Sequence, residues 1–246
     1  MPKLFTDEII DDLDVLFSFR GDEAFYLQRS LRMRPGEILT LGTGDGMDLE
    51  GEIVRMTADE VQVKWLSKVR NPAEPPYRAV LYQGLLKGEK MEWVIQKAVE
   101  LGVSAVVPVA CKRSVAKLEG KDISKKLDRW NKIALEAARQ SGRGVIPCVM
   151  PPVSFAEAAE KAEGFAFIPW ESEQECSMST VLANWDGEKA AEISFFIGPE
   201  GGFDEEEIQL AKRRGIQSVS LGRRILRAET AGLAVLAILS YRLEGI

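Results

Sequence analysis

The chain has 246 residues, 32 Lys and Arg against 38 Asp and Glu, three cysteines and no histidine. That length suits one large or two unequal domains, and an apolar share of 46% beside a charged share of 28% is ordinary globular usage, so a sizeable core is expected. Without histidine there is no Ser-His-Asp or Cys-His nucleophile, no imidazole base and no His-containing metal site, and acid–base work falls to Glu, Asp, Lys, Tyr, Cys or water.

The first ten residues, MPKLFTDEII, are too acidic and too weakly apolar for a signal peptide. A helix is predicted over 22–33, with Asp22 as its N-cap, Ala24, Leu27 and Leu31 as its apolar stripe, and Arg34-Pro35-Gly36 as its stop. Short strands are predicted at 38–41, 49–56 and 61–65, with Gly42, Gly44 and Gly46 turning the chain after the first. Residues 67–77, SKVRNPAEPPY, are proline-rich without apolar periodicity and read as a linker. A small β-rich domain over 1–72 and a larger one over 73–246 are therefore expected.

Beyond the linker the rhythm changes to strands alternating with helices. Strands are predicted at 79–85, 104–109, 145–149, 165–169, 193–197 and 218–221, and helices at 89–101, 122–140 and 204–214. This is the pattern of an α/β domain around a mostly parallel sheet covered on both faces. A final helix over 229–243 is apolar nearly all round, which predicts burial in the core or against a second subunit. Its longest apolar stretch, Ala231 to Leu239, spans nine residues, where a membrane helix needs about 20. Cys111, Cys148 and Cys176 form neither a disulfide framework nor a zinc motif. A cytoplasmic protein without a membrane or metal partner is expected.

The net charge of -6 hides strong patterning. Residues 112–143 hold ten basic and four acidic side chains, and residues 212–227 hold six basic and none acidic. Such segregation is what a phosphate-backbone contact would need, because affinity follows local charge. A solvated helix face carrying Lys and Arg reads the same way in the first segment.

Two loops at carboxyl ends of predicted strands carry candidate chemistry, since ligands of such sheets bind there. Ile197-Gly198-Pro199-Glu200-Gly201-Gly202-Phe203 has bare backbone able to approach a ligand closely. Asp204 and Glu207 follow with capping-box spacing, and Glu205 and Glu206 complete an acidic first turn. That helix start would repel a phosphate, so a nucleoside without phosphates is favoured. The second loop, Leu221-Gly222-Arg223-Arg224-Ile225-Leu226-Arg227-Ala228-Glu229-Thr230-Ala231, suits recognition of phosphate or of a developing oxyanion. The competing structural reading pairs Arg227 with Glu229.

IGPEGGF (197–203) with LGRRILRAETA (221–231), this close to the C-terminus, resembles the RsmE family, ribosomal RNA small-subunit methyltransferases that methylate N3 of a uridine in 16S rRNA. KGEKMEWVIQKAVELGV (87–103), KRSVAKL (112–118), RWNKIALEAARQSGR (129–143) and the LRMRPGE turn (31–37) resemble it as well. Phe25-Tyr26-Leu27-Gln28 departs from it, where the family often carries histidine.

The resemblance implies a SPOUT-type α/β domain with a mostly parallel sheet and a deep trefoil knot, preceded by a PUA-like RNA-binding β-barrel and working as a homodimer on 16S rRNA or the small ribosomal subunit. The implied cofactor is S-adenosylmethionine, held by Ile168, Pro169 and Trp170, by Gly198, Pro199, Glu200, Gly201 and Gly202, and by Leu221, Gly222, Ile225, Leu226 and Arg227. RNA contacts are expected from Arg29, Arg32, Arg34, Arg113, Lys117, Lys125, Lys126, Arg143, Arg223 and Arg224. Methylating a uridine nitrogen requires its proton to be removed and the anion stabilised. Arg227 is the expected anion stabiliser, and Glu200 or Glu229 the expected proton acceptor, directly or through water. A non-catalytic RNA-binding or assembly protein on the same fold is the alternative.

Overall fold

A computed structural model describes residues 3–6, 13–116, 121–185 and 192–245. The chain forms two compact units, one of residues 1–74 with 138–146, the other of residues 75–137 with 147–246.

In the first unit β1 (Leu4–Phe5), β2 (Phe17–Arg20), β3 (Ile38–Gly42), β4 (Met47–Met56) and β5 (Glu60–Arg70) form one sheet in the order β1-β3-β4-β5-β2. It is antiparallel except where β1 runs parallel to β3. Its core gathers Phe19, Ala24, Leu27, Leu41, Leu49, Ile53, Val61, Val63 and Trp65. Gly51 is required by that core, because a Cβ there would fall 2.4 Å from Val63 Cγ1 and 2.6 Å from Trp65 Cε3. The short β1 and β2 carry too little local pattern to stand out in the sequence.

Two expectations for this unit are corrected. Residues 67–70 are strand rather than linker, because β4 is long enough to pair Glu50 with Ser67 and Met47 with Arg70. The helix predicted over 22–33 is α1 (Gly21–Phe25) followed by a π-helical turn at Tyr26–Ser30. Its N-cap is Arg20, without a side-chain bond, and Asp22 lies in the first turn. The wider winding, with Leu31 N–H donating to Tyr26 O at 3.0 Å, leaves Leu27 fully buried, and Arg32 ends it at φ +54.

Residues 138–146 are held in this unit by polar contacts. Arg143 is 3% exposed, and its Nε and Nη2 donate to Glu74 at 2.8 and 2.9 Å, while the Gly144 and Val145 amides donate to the same carboxylate. Val145 bridges to Gly44 and Asp45. The strand predicted over 145–149 therefore shrinks to Cys148–Val149, since Val145 finds its backbone partners elsewhere.

The second unit contains β6 (Arg78–Gly84), α2 (Lys90–Glu100), β7 (Ala105–Ala110), α3 (Lys121–Ser141, its last turn in the first unit), β8 (Cys148–Val149), β9 (Val153–Ser154), α4 (Phe155–Lys161), β10 (Phe165–Pro169), α5 (Met178–Asn184), β11 (Glu192–Ile197), α6 (Glu205–Arg213), β12 (Gln217–Val219) and α7 (Ala228–Glu244). Its strands are parallel in the order β12-β10-β11-β6-β7-β8, with β9 also paired to β7. Strand alternation sends Tyr82, Val107, Ile168 and Phe196 to one face, against Phe155 and Ala158 of α4 and Ile208 and Ala211 of α6. The Tyr82 and Phe196 rings stack there with centroids 4.5 Å apart. On the other face a Cβ at Gly232 of α7 would lie within 3.7 Å of Leu81, Gln83 and Ile197.

Both faces of the sheet are thus covered, as the alternating pattern predicts. The final helix is buried along one side. Val235, Leu236 and Leu239 are buried, but Ile238 and Tyr241 on its other side are exposed. Among the described residues no helix is long and apolar enough to cross a membrane.

Candidate active site

Four strands of the parallel sheet end at one cavity of about 830 Å³, within the usual size of small-molecule sites. The end of β10 contributes Pro169, the turn after it contributes Trp170, Glu171, Glu173 and Gln174, and the loop after β11 contributes Gly198 to Phe203. The segment from Ser220 through Arg227 into Glu229 and Ala231 of α7 closes a third side, and Lys90, at the start of α2, comes from the turn after β6.

Backbone bonds shape these loops. Trp170 N–H donates to Val219 O at 3.0 Å, Ser220 N–H donates to Cys176 O at 2.8 Å, and Met178 N–H donates to Ser220 O at 3.0 Å. The chain leaving β12 is therefore bracketed by the segment 170–178. Gly202 N–H donates to Pro199 O at 2.9 Å, and Gly202 at φ +69 and Gly222 at φ +105 occupy backbone conformations that favour glycine. The missing Cβ of Gly201 would face Arg113, 3.1 Å from its O and Cβ.

The acidic start of α6 is capped as the spacing predicts, with Asp204 and Glu207 in a reciprocal capping box. Its carboxylates are also neutralised from the loop after β7. Glu207 Oε1 accepts from Lys112 N–H at 2.9 Å, Lys112 Nζ pairs with Glu206 and lies 3.5 Å from Asp204, and Arg113 reaches Asp204 at 3.5 Å. The Glu206 backbone N–H, with Lys112 and Arg113 beside it, holds the Asp204 carboxyl below its ordinary range. In the same loop burial pushes the Cys111 thiol far up, so it stays protonated.

The expected cofactor residues come together at one cavity, all but one of them on its lining. Pro169, Trp170, Gly198, Pro199, Glu200, Gly201, Gly202, Leu221, Gly222, Ile225, Leu226 and Arg227 all line the cavity. Ile168 does not, because alternation along β10 turns its side chain into the core beneath α4 and α6, where it is fully buried.

Of the catalytic candidates, Arg227 is exposed at the N-cap of α7 and has no ion-pair partner among the described residues. Glu229 does not pair with it. The cation beside Glu229 is Lys90, whose Nζ lies 3.8 Å from Glu229 Oε2 and 3.2 Å from Glu200 Oε1. Glu200 Oε1 also accepts from Lys87 N–H at 3.2 Å. Burial alone would raise Glu200, but bonds from its own amide, the Lys87 amide and the Lys90 ammonium outweigh that and hold it below the usual carboxylate range. Glu229 Oε2 is buried and accepts no hydrogen bond.

The cationic candidates divide. Arg29, Arg32 and Arg34 are exposed on the first unit, and Lys125, Lys126, Arg223 and Arg224 are exposed on the second. Arg113 is engaged by Asp204, and Lys117 lies outside the described residues. Arg143 is corrected: buried and bidentate on Glu74, its guanidinium cannot reach a phosphate. Lys90, Glu171 and Glu173 were not singled out by sequence. The available signals were the KGEK turn after one strand and the acidic WESE run after another.

A parallel α/β domain with a loop-built pocket, preceded by a small mixed sheet, matches the make-up of a PUA-bearing RNA methyltransferase. The model of the RNA methyltransferase domain family matches residues 73–240, and that of the RNA methyltransferase PUA domain matches residues 19–65. The ribosomal RNA small subunit methyltransferase E of Bacillus subtilis is 34% identical over 93% of this chain and 91% of its own. That of Mesomycoplasma hyopneumoniae is 37% identical over 75% and 78%. The crystal structure of the Neisseria gonorrhoeae enzyme of that name, bound to S-adenosyl methionine, is similar with a TM-score of 0.83 and 31% identity, covering 98% of this chain and 97% of that one. The chain belongs to the ribosomal RNA small subunit methyltransferase E family.

Proposed function

We propose that this protein transfers the methyl group of S-adenosylmethionine to N3 of a uridine in the 16S RNA of the small ribosomal subunit. The observation that carries the reading is the cavity at the ends of β6, β10, β11 and β12, where the glycine loop and carboxylates meet Arg227, which has no ion-pair partner among the described residues.

The donor set fits the cofactor. Loop 198–202 offers bare backbone to an adenosine, and Glu171, Glu173, Glu200 and Glu229, on a lining that also holds Lys90, Arg223, Arg224 and Arg227, can face the cofactor's sulfonium and ammonium. When bound, the cofactor supplies an electrophilic methyl group on a sulfonium sulfur. The chain must remove the N3 proton and stabilise the anion left behind. Arg227 is free to donate to a uracil oxygen as negative charge develops. Glu229, whose Oε2 accepts no hydrogen bond and lies 3.8 Å from Lys90 Nζ, is assigned as the proton acceptor, directly or through water. Glu200 is committed to Lys87 and Lys90 and stays ionised.

RNA is held by Arg29, Arg32 and Arg34 on one unit and by Lys125, Lys126, Arg223 and Arg224 on the other. The exposed Ile238 and Tyr241 of α7 support a homodimer, and the bracketing of residues 219–220 supports the threaded path expected of a knot. Incubation with S-adenosylmethionine and either unmodified small subunits or free 16S RNA, followed by base-resolved mapping, tests the reading. A single N3-methyluridine is expected. Methylation of another atom, or RNA binding without methylation, would overturn it.

A further inference from the structure

We propose that Lys90 is a positioning residue of the methyl-transfer pocket: by holding Glu200 and Glu229 in one ion cluster it ties together the segments after β6, β11 and β12 and so fixes the start of α7, from which Arg227 projects. The inference rests on the methyltransferase reading of the cavity for its consequence, but not for its geometry.

Lys90 is the first residue of α2, where the partial positive charge of a helix N-terminus disfavours a cation. What compensates is the pair of carboxylates. Glu200 grips the β6–α2 turn twice, through the Lys87 amide and through Lys90 Nζ, each at 3.2 Å. Glu229 brings a buried oxygen without a hydrogen bond to 3.8 Å from the same ammonium.

Glu229 lies in the first turn of α7, two residues after Arg227. Arg227 O accepts from the Thr230 and Ala231 amides, each at 2.9 Å, so a tilt of that turn carries Arg227 with it. Lys90 thereby reaches the anion-stabilising arginine without touching it.

Removing the ammonium takes from Glu200 a cation that holds its carboxyl low and leaves it beside a second carboxylate. The other charged groups lining the cavity do not replace Lys90. Glu173 is engaged by Ser218 and lies 3.9 Å from Lys212, Glu171 adds negative charge, and Arg223 and Arg224 are exposed. Glu89, the N-cap before Lys90, adds a further acid on its own element.

The test uses the full chain carrying Lys90→Met, with Lys90→Arg as the conservative variant. In carbon-detected NMR titrations of the cofactor-free protein, the Glu200 carboxyl, held low in part by the Lys90 ammonium, should titrate higher in Lys90→Met and return toward its wild-type position in Lys90→Arg. Single-turnover methylation by Lys90→Met should fall about ten- to a hundredfold, with its acid limb moved to higher pH, and Lys90→Arg should recover most of it. An unchanged Glu200 titration and an unchanged pH–rate profile in Lys90→Met would overturn the inference. If the wild-type protein methylates no RNA, the functional reading fails, and the Glu200 titration still decides whether Lys90 holds that carboxylate.

Discussion

Gly84, the last residue of β6, is the most direct handle on loop 198–202, the loop proposed to hold the cofactor. A Cβ built there would lie 2.5 Å from Pro199 N, 2.7 Å from Pro199 Cδ and 2.8 Å from Gly198 C, against 3.4–4 Å for ordinary contact. Gly84 pairs with Val109 of β7, and its neighbour Gln83 pairs with Ile197 of β11, so the strand cannot retreat. In Gly84→Ala the loop must instead yield by about 1 Å, at a cost of roughly 1–3 kcal/mol in stability for such overpacking. Misplacing groups that orient a reaction by about 1 Å costs on the order of 10²-fold in rate. S-adenosylmethionine affinity should fall at least about tenfold, roughly 1.4 kcal/mol, in a protein that still unfolds cooperatively in denaturant. Gly232→Ala is the control. Its Cβ would make ordinary contacts at 3.5–3.7 Å, and alanine in a helix interior should stabilise by about 0.5–1 kcal/mol. Wild-type cofactor affinity in a folded Gly84→Ala, measured by calorimetry, would refute the assignment of loop 198–202 to the cofactor.

Arg227→Ala should lower the single-turnover rate by about 10²–10³-fold with a much smaller loss of RNA affinity; a loss confined to affinity would make that arginine a positioning contact. Replacing Lys125 and Lys126 together should weaken RNA binding and flatten its salt dependence by up to about two counterions, with the saturated rate preserved. Arg143→Ala should cost about 3–5 kcal/mol of stability by stranding Glu74, and unfolding in urea distinguishes that from an RNA-binding defect. Burial would raise the Glu74 carboxyl, but Arg143 and the Val145 and Gly144 amides outweigh it and lower it below 4.5. Its contribution is therefore present above about pH 4.5 and is lost as pH falls through the depressed value. Glu74→Gln should be less stable at neutral pH and show a shallower acid dependence than wild type, by urea midpoints across that range.

The sequence by itself determined the elements whose signals are local. Runs such as Ile193–Ile197, the capping box at Asp204 and the bare loop at 198–202 each carry their conformation within a few residues, and the family resemblance rested on those same loops. Strand order, the turn inward of Arg143 and the clustering of Lys90 with Glu200 and Glu229 were decided by tertiary structure. Residues 67–70 looked like linker because the partner that makes them strand, β4, lies some twenty residues away. Arg143 looked like one more cation in a basic run until Glu74, 69 residues distant, took its guanidinium. Lys90 and Glu200 are 110 residues apart and meet only because β6 and β11 are neighbours in the sheet. A side chain's charge is legible in one dimension, but its partner is not, because the pairing is set by which strand ends the fold brings together.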